Sequence, residues 1–227
     1  MERYKKNMEA LNREESESLQ KHKVCIVGCG GLGGYIIESL GRLGIGYLTV
    51  VDGDVFVESN LNRQLLSDVH SIGKSKSLMA RKRMQEVNPT IEVRPVNEFV
   101  DHGNAIPILQ GHDVIVDALD SKHSRLLIQD YAEQLNIPLV HGAIGGWYGQ
   151  VTTIFPGDKT LNIIYPQHQV KGLEKRLGNL PYTASLVASI QASQVIKILI
   201  GRGELLRKKL LYIDLLNLEF RTIPLGV

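Results

Sequence analysis

Cysteine is scarce in this chain, which has only Cys25 and Cys29 among its 227 residues. Two cysteines cannot form a disulfide scaffold or a four-cysteine zinc site. A chain of this length can bury a core large enough to fold without such cross-links. The sequence therefore excludes small disulfide-rich proteins and zinc-stabilised modules.

The chain also lacks an excess of charge and a segment typical of export. Its 26 basic and 24 acidic residues leave a net charge of +2, which gives no support for a nucleic-acid partner. The charged N-terminus has no apolar signal-peptide core. The uncharged stretch Leu177–Ile196 is long enough to span a bilayer, but its many Ser, Thr, Asn and Gln residues predict a buried helix. We expect a cytoplasmic protein with no membrane partner.

Short apolar runs alternate with segments of helical periodicity through most of the chain. Strands are predicted at 23–28, 47–52, 91–96, 112–118 and 137–140, and helices at 31–43, 73–87 and 121–136. This alternation predicts an α/β fold with a doubly wound, mostly parallel, Rossmann-like sheet. Further on, a long helix is predicted at 182–200, and antiparallel C-terminal strands at 149–155 and 210–223. The charged segment 1–22 is predicted to be an N-terminal helical arm, and 23–227 a single domain.

A glycine-rich loop joins the first predicted strand to the first predicted helix. Its sequence is GCGGLG, with glycines at Gly28, Gly30, Gly31 and Gly33. Glycines here allow a tight turn and let backbone amides at the helix N-terminus approach a phosphate. Asp52 ends the next strand, where a carboxylate can hold ribose hydroxyls. Together these features predict a nucleotide site, and we favour this over glycines that serve packing alone.

Polar residues beyond Asp52 indicate that the nucleotide carries several phosphates. Arginine binds phosphate as a planar fork and lysine as a point charge. The residues suited to this task are Asp54, Asn60, Arg63, Gln64 and Lys76. Asp120 follows the strand at 112–118, at the carboxyl edge where ligands bind in such folds, and its carboxylate could hold Mg²⁺ together with water. The basic segment 63–83 could instead form a solvated helix face.

The ordered motifs GCGGLG, VDGDxxxxSNLNRQ, GKSK and DALD, the last followed by Arg125, resemble the ATP-binding core of the ThiF/MoeB/HesA family, bacterial relatives of ubiquitin-activating enzymes. The resemblance covers residues 23–224 and implies that 23–227 is an ATP-binding adenylation domain. It implies an adenylyltransferase that uses ATP and Mg²⁺ to adenylate the C-terminal glycine of a small ubiquitin-like sulfur-carrier protein and releases pyrophosphate. The pathway would be thiamine, molybdopterin or related sulfur-transfer biosynthesis.

By position, the resemblance implies a role for each motif. The loop glycines shape the phosphate site, Asp52 holds the ribose, and Asp120 is the Mg²⁺ ligand and catalytic carboxylate. The phosphates are surrounded by Asn60, Arg63, Gln64 and Lys76. The family has an R-Y-x-R signature whose second arginine reaches the partner subunit's ATP site. Here the sequence is Arg3-Tyr4-Lys5-Lys6, so that role falls to Lys6 in an expected homodimer.

The chain lacks the cysteines with which many family members bind zinc or link covalently to the carrier. None occurs at 158–165 or at 161–180, so we expect no zinc and no thioester or acyl-disulfide step on this chain. Cys25 and Cys29 are interpreted as packing residues.

Two other functions remain open from the sequence alone. A NAD-dependent Rossmann oxidoreductase would explain the glycine loop and Asp52 but would leave Arg63 and Lys76 without a role. A non-catalytic subunit that binds the carrier would fit Lys6 and the missing cysteines. The groove for the carrier tail is expected at 142–149 or 161–180, and His141 either lines the site or is a structural histidine.

Overall fold

One sheet of eight strands runs through the protein, as a computed structural model describes it for residues 2–166 and 177–226. In chain order the strands are β1 Lys23–Val27, β2 Tyr47–Val51, β3 Glu92–Val96, β4 Val114–Asp117, β5 Leu139–Gly145, β6 Tyr148–Ile154, β7 Lys209–Asp214 and β8 Glu219–Pro224. They lie in the order β3-β2-β1-β4-β5-β6-β7-β8. The strands from β3 to β5 pair in parallel, and β6, β7 and β8 are added antiparallel. The predicted α/β class with its antiparallel extension is confirmed.

Helices cover both faces of this sheet. The described α-helices are α1 Arg13–Leu19, α2 Gly31–Leu43, α3 Lys76–Val87, α4 Ala105–Leu109, α5 Lys122–Gln134, α6 Thr160–Ile164 and α7 Pro181–Ile200, and 3₁₀ helices lie at Glu2–Asn7 and Glu58–Asn60. Ile26 of β1 belongs to the core formed with α2, α3 and α7. Its neighbour Val27 belongs to the core formed with α4, α5 and α6. Because successive strand residues point to opposite faces, strands buried on both sides are apolar throughout.

The N-terminal arm forms two short helices, and the single charged helix predicted there is wrong. Glu9 has a φ of 76°, in the left-handed region that interrupts a helix. Asn12 then starts α1 with a capping box, in which its Oδ1 accepts from the Glu15 amide and its own amide donates to the Glu15 carboxylate. Tyr4 is buried, and its hydroxyl accepts a hydrogen bond from Asn88. The division of the chain at residue 22 stays a prediction.

Other boundaries differ from prediction for local reasons. Helix α3 starts at Lys76 instead of Gly73, because Gly73 has a φ of 80° and Ser75 caps the helix. Strand β5 runs to Gly145, beyond its parallel neighbour, because its second half pairs with β6. Helices α4 and α6 are too short to show periodicity and were not predicted. Of the irregular segment predicted at 161–180, residues 167–176 lie outside the described residues.

Helix α7 packs against α2 and β5. Its small residues Ala184, Ala188 and Ala192 are buried, which allows this close approach and agrees with the predicted internal packing. By length and composition alone α7 could cross a membrane, but half of its most apolar stretch is buried inside the fold.

The glycine loop brings two turns of backbone into contact at the carboxyl edge of the sheet. Gly28 has a φ of 102°, and a Cβ there would lie 2.5 Å from the carbonyl oxygen of Ala118, which follows β4. A Cβ on Gly33 would overlap the carbonyl oxygen of Gly28. Only glycine fits at these two positions. The β1–α2 turn and the loop after β4 are therefore held in direct contact.

We expect Gly33→Ala to lower the free energy of unfolding by about 3 kcal/mol or more, because the added methyl group meets backbone that cannot move aside. Urea denaturation followed by circular dichroism measures this. In the control Gly31→Ala, the nearest atoms to the new Cβ are 3.8 Å away, on the Arg63 side chain. That variant should stay within about 1 kcal/mol of wild type, and equal losses in both variants would contradict the packing role of Gly33.

Candidate active site

A cleft of about 320 Å³ opens at the carboxyl ends of β1, β2 and β4. This is the edge at which parallel α/β sheets bind ligands. Its walls come from the glycine loop, the loop after β2, the N-terminus of α3 and the loop after β4. The predicted site residues that line it are Gly28, Gly30, Gly31, Asp52, Asp54, Arg63, Gln64, Lys76 and Asp120.

Asp52 connects the glycine loop to the loop after β2. One carboxylate oxygen accepts from the backbone amide of Cys29 at 2.8 Å, and the other accepts from the amide of Asp54 at 2.8 Å. Burial raises the pKa of Asp52, and the two amide bonds and the Lys76 charge oppose this. Each carboxylate oxygen retains a second lone pair, so Asp52 can hold the loop and still accept from a ligand.

Cys29 is fully buried beside Asp52. Burial, and next the negative charge of Asp52, raise the pKa of its thiol well above the usual range. A thiol that stays protonated is a poor nucleophile. The cysteines are thus apolar packing residues, as predicted for both Cys25 and Cys29.

Two cations and one amide line the cleft from the region after β2. Lys76 is buried, and its Nζ lies 3.2 Å from the exposed carboxylate of Asp54. Arg63 donates to the carbonyl of Ser59 at 3.0 Å and to Asn62 Oδ1 at 2.8 Å. The buried Oε1 of Gln64 has no hydrogen-bond partner among the described residues. Such an atom costs free energy until a ligand or water donates to it.

Asp120 is an exposed carboxylate at the cleft, between the end of β4 and Ser121, which caps α5. Within residues 2–166 and 177–226, no three His, Cys, Asp or Glu side chains are grouped so as to hold a metal ion by themselves. One carboxylate, completed by phosphate oxygens and water, is the arrangement in which Mg²⁺ usually binds at phosphate sites. The donor set therefore fits a metal ion that arrives with a phosphate ligand.

Three predicted site residues do not line the cleft. Gly33 packs against Gly28, as described above. Asn60 is buried and caps its own 3₁₀ turn, because its Oδ1 accepts from the Val57 amide. Lys6 is exposed on the first 3₁₀ helix, two residues after Tyr4. The ring of Tyr4 lies against Gly44, just beyond the C-terminal end of α2. Helix α2 starts at the cleft and is about 20 Å long, so Lys6 lies near the opposite edge of the sheet.

Sequence reasoning missed Phe99 and Asn179, which also line the cleft. Phe99 follows β3 and is 66% exposed, a large fraction for an aromatic side chain. Asn179 has a buried Oδ1 without a hydrogen-bond partner in the described part of the chain. An aromatic residue just after a parallel strand could have indicated Phe99. Nothing local to Asn179 in the sequence places it beside a loop far away in the chain.

His141 is a fully buried structural histidine and does not line the cleft, which decides between the two roles considered from the sequence. Its Nδ1 lies 2.6 Å from the carboxylate of Asp117, which is also fully buried at the end of β4. Burial lowers the pKa of His141, and the hydrogen bond to Asp117 opposes this only in part. The imidazole is therefore neutral in the fold, with its Nδ1 proton donated to Asp117.

Protonation of the unfolded chain should make stability depend on pH. An unfolded histidine takes up a proton below about pH 6.5, while the folded His141 stays neutral. The contribution of His141 to the free energy of unfolding should therefore be complete above about pH 6.5. At lower pH it should decrease by up to about 1.4 kcal/mol per pH unit. Urea unfolding between about pH 5.5 and 7.5 should show a steeper loss for wild type than for His141→Asn. The exposed-site variant His70→Asn should keep the wild-type pH dependence. Equal slopes for wild type and His141→Asn would contradict a neutral His141.

Known proteins match this chain over nearly its whole length. The ThiF family model matches residues 4–226. The SAMP-activating enzyme E1 of Haloferax volcanii is 36% identical over 232 residues, which cover 99% of this chain and 85% of that protein. The sulfur carrier protein adenylyltransferase of Thermus thermophilus is 33% identical over 236 residues, covering 98% of this chain and 86% of that protein.

Solved structures show the same fold. E. coli MccB with MccA-N7isoASN matches with a TM-score of 0.85 at 20% identity, covering 99% of this chain and 71% of that chain. MccB with ATP matches with a TM-score of 0.80 at 21% identity, covering 93% of this chain and 66% of that one. At such identities the likeness shows the fold alone. Family membership depends on the sequence match, and by that match the chain belongs to the ThiF family.

Proposed function

We propose that this chain is an ATP-dependent adenylyltransferase that activates the C-terminal glycine carboxylate of a small ubiquitin-like sulfur-carrier protein. The observation that carries the proposal is the convergence of the glycine loop, Asp52, Arg63, Lys76 and Asp120 on one cleft. Two relatives that exceed 30% identity are named for this kind of activity. The carrier serves thiamine, molybdopterin or a related sulfur-transfer pathway, and the protein works in the cytoplasm.

In the proposed reaction an oxygen of the glycine carboxylate attacks the α-phosphorus of ATP. The bond from that phosphorus to the bridging oxygen breaks, and pyrophosphate leaves with the electron pair. Two anions must approach each other while charge builds on the leaving group, so catalysis consists of positioning and charge neutralisation. No protein nucleophile is required, which is consistent with a buried, protonated Cys29.

Each part of ATP has a suitable place in the cleft. The triphosphate fits over the glycine loop at the N-terminus of α2, where backbone amides and the helix dipole favour anions. Arg63, Gln64 and Lys76 border this region, and Asp52 is placed for the ribose. The exposed ring of Phe99 offers a face on which the adenine can stack. Mg²⁺ bound by Asp120 and the phosphates would supply further neutralisation of the phosphate charge.

The carrier tail has a suitable entrance beside this cleft. The first of its two expected positions, 142–149, comprises the end of β5 and the turn into β6, and Ile144 of β5 lines the cleft. The amide of Gly146 donates to the carbonyl of Gly178 at 2.8 Å. The two expected positions, 142–149 and 161–180, therefore meet next to Asn179. A flexible glycine tail that enters here would bring its carboxylate towards Asp120.

We further propose that the chain acts as a homodimer in which Lys6 serves the partner subunit's cleft. Lys6 lies too far from the cleft of its own chain to reach ATP there. The segment between β2 and α3, which supplies Arg63, also has several exposed apolar side chains, a pattern typical of a surface that another protein covers. They are Val55, Val57, Leu65, Val69 and Ile72, each more than 40% exposed.

The other two functions are less well supported. In a NAD-dependent oxidoreductase the cations Arg63 and Lys76 would have no triphosphate to neutralise, and the chain belongs to the ThiF family. A non-catalytic subunit would not need Asp120, Arg63 and Lys76 at one cleft. It would bind carrier and form no adenylate, an outcome that the assay below distinguishes.

ATP–pyrophosphate exchange with candidate carriers tests the proposed activity. We expect carrier-dependent exchange in wild type, and a loss of about 100-fold or more in Asp120→Ala and Arg63→Ala, because both remove charge that acts on the reacting phosphates. Arg81→Ala, which removes an exposed cation from α3, is the matched control and should retain exchange. Full exchange in Asp120→Ala would rule out the site. Carrier binding without exchange in wild type would support the non-catalytic alternative, and NADH binding in place of ATP would support the oxidoreductase.

Mixing two inactive variants tests the role of Lys6. Lys6→Ala and Asp120→Ala should each be poorly active, but their heterodimer contains one cleft with both residues intact. Co-expression should therefore restore about a quarter of wild-type exchange when subunits pair at random. Analytical ultracentrifugation should show dimers throughout. No recovery in a verified heterodimer would contradict action across the interface, and a monomeric wild type would contradict the homodimer.

A further inference from the structure

We propose that a ring of hydrogen bonds through Asp117, His141, Tyr165 and Arg125 is a positioning device for Asp120. The ring holds the peptide backbone of Leu119, the residue before Asp120, from both sides. The inference rests on the proposed function, because it concerns the carboxylate to which that function assigns catalysis.

The first half of the ring holds the amide of Leu119. Asp117 Oδ1 accepts from this amide at 3.0 Å, and Asp117 Oδ2 accepts from His141 Nδ1 at 2.6 Å. The backbone carbonyl of Asp117 also accepts from Gln191 of α7 at 2.8 Å. Asp117 and His141 are completely buried and lie directly opposite each other in the β4–β5 pair. Asp117 is therefore fixed through its carboxylate and its backbone.

The second half of the ring holds the carbonyl of Leu119. Arg125, in the second turn of α5, donates to it from Nε at 3.1 Å and from Nη2 at 2.7 Å. The remaining arm of the guanidinium donates from Nη1 to the Tyr165 hydroxyl at 2.8 Å. Two donors of one guanidinium thus meet at the same oxygen, which fixes the position of the Leu119 carbonyl oxygen relative to Arg125.

Tyr165 closes the ring. Its hydroxyl accepts from Arg125 and from Gln150 Nε2, each at 2.8 Å, and lies 3.3 Å from His141 Nε2. With the Nδ1 proton of His141 donated to Asp117, its Nε2 is an acceptor. This nitrogen lies 3.3 Å from the Tyr165 hydroxyl and 3.2 Å from Gln150 Nε2, and either group can donate to it.

Core stability alone does not explain these residues. A buried carboxylate and guanidinium lose their hydration, and apolar side chains of similar size often stabilise a core equally well. What the ring adds is a fixed course for the chain from Asp117 to Asp120. Arg125 and Leu119 line the cleft, whereas Asp117 and His141 do not, so these two act on Asp120 through the backbone of the loop between β4 and Asp120. A shift of about 1 Å in a reacting group can cost about 100-fold in rate.

The experiment compares four variants of the full chain. His141→Leu removes both ring bonds of the imidazole, and His141→Asn retains a donor that can reach Asp117. Tyr165→Phe removes one hydroxyl and leaves the Asp117–His141 pair intact, so it should fold even if His141→Leu does not. The matched control is His112→Asn at the other edge of the sheet. His112 is also held at both ring nitrogens, by the carbonyl of Leu109 and the hydroxyl of Thr49.

Two measurements apply to each variant. The first is kcat and KM for ATP in carrier-dependent pyrophosphate exchange. We expect kcat to fall about 10-fold or more in His141→Leu and several-fold in Tyr165→Phe, with KM within about twofold of wild type, because binding groups stay in place while Asp120 is misplaced. His141→Asn should recover part of the kcat lost in His141→Leu, and His112→Asn should match wild type.

The second measurement is hydrogen–deuterium exchange of the amides at 118–120, which does not require activity. We expect the Leu119 amide to exchange faster in Tyr165→Phe and His141→Leu than in His112→Asn. Unchanged exchange there, or equal kcat in Tyr165→Phe and His112→Asn, would overturn the inference. If no carrier supports adenylation, the proposed function fails while deuterium exchange still tests the ring.

Discussion

The whole site depends on how closely two turns of backbone approach each other. Gly28 lies against the carbonyl of Ala118, and Gly33 lies against Gly28. No side chain could be inserted at either contact without separating β1–α2 from the loop after β4. Because these two turns touch, the glycine loop and the Asp120 carboxylate line the same cleft. The absence of side chains at Gly28 and Gly33 thus brings the glycine loop and Asp120 together.

The parts that could be predicted from sequence depend on neighbouring residues. The alternation of apolar runs and helical segments predicted the sheet, and the short interval from Asp52 to Lys76 predicted most of one wall of the cleft. The parts that could not be predicted depend on distant residues. Asp117 meets His141 and Gln191 only after β4, β5 and α7 have packed. The capping role of Asn60 could not be predicted, because a polar side chain in a motif looks the same whether it binds a ligand or caps its own turn.

The charged groups at the end of β2, at the end of β4 and near the start of α5 are paired before any ligand binds. Asp52 accepts from two backbone amides, Asp117 from an imidazole and an amide, and Arg125 donates to a carbonyl and a phenol. A site whose dipoles are already oriented does not have to reorganise as charge develops in a reaction. The free energy of desolvating these groups is lost during folding and not when a ligand binds. Two amide oxygens at the cleft, Gln64 Oε1 and Asn179 Oδ1, have no hydrogen-bond partner among the described residues, and they leave interactions for a ligand to complete.

The ion pair of Lys76 and Asp54 has a consequence for which anions the cleft can retain. The ammonium group is already within 3.2 Å of a carboxylate, so an incoming anion must compete with that carboxylate. A triphosphate has charge enough to do so, whereas a single phosphate group gains much less. Because the Asp54 side chain is 57% exposed, its pairing with Lys76 contributes at most about 1 kcal/mol. A multiply charged phosphate ligand can therefore replace this carboxylate, while the pair keeps the ammonium group at the cleft until such a ligand arrives.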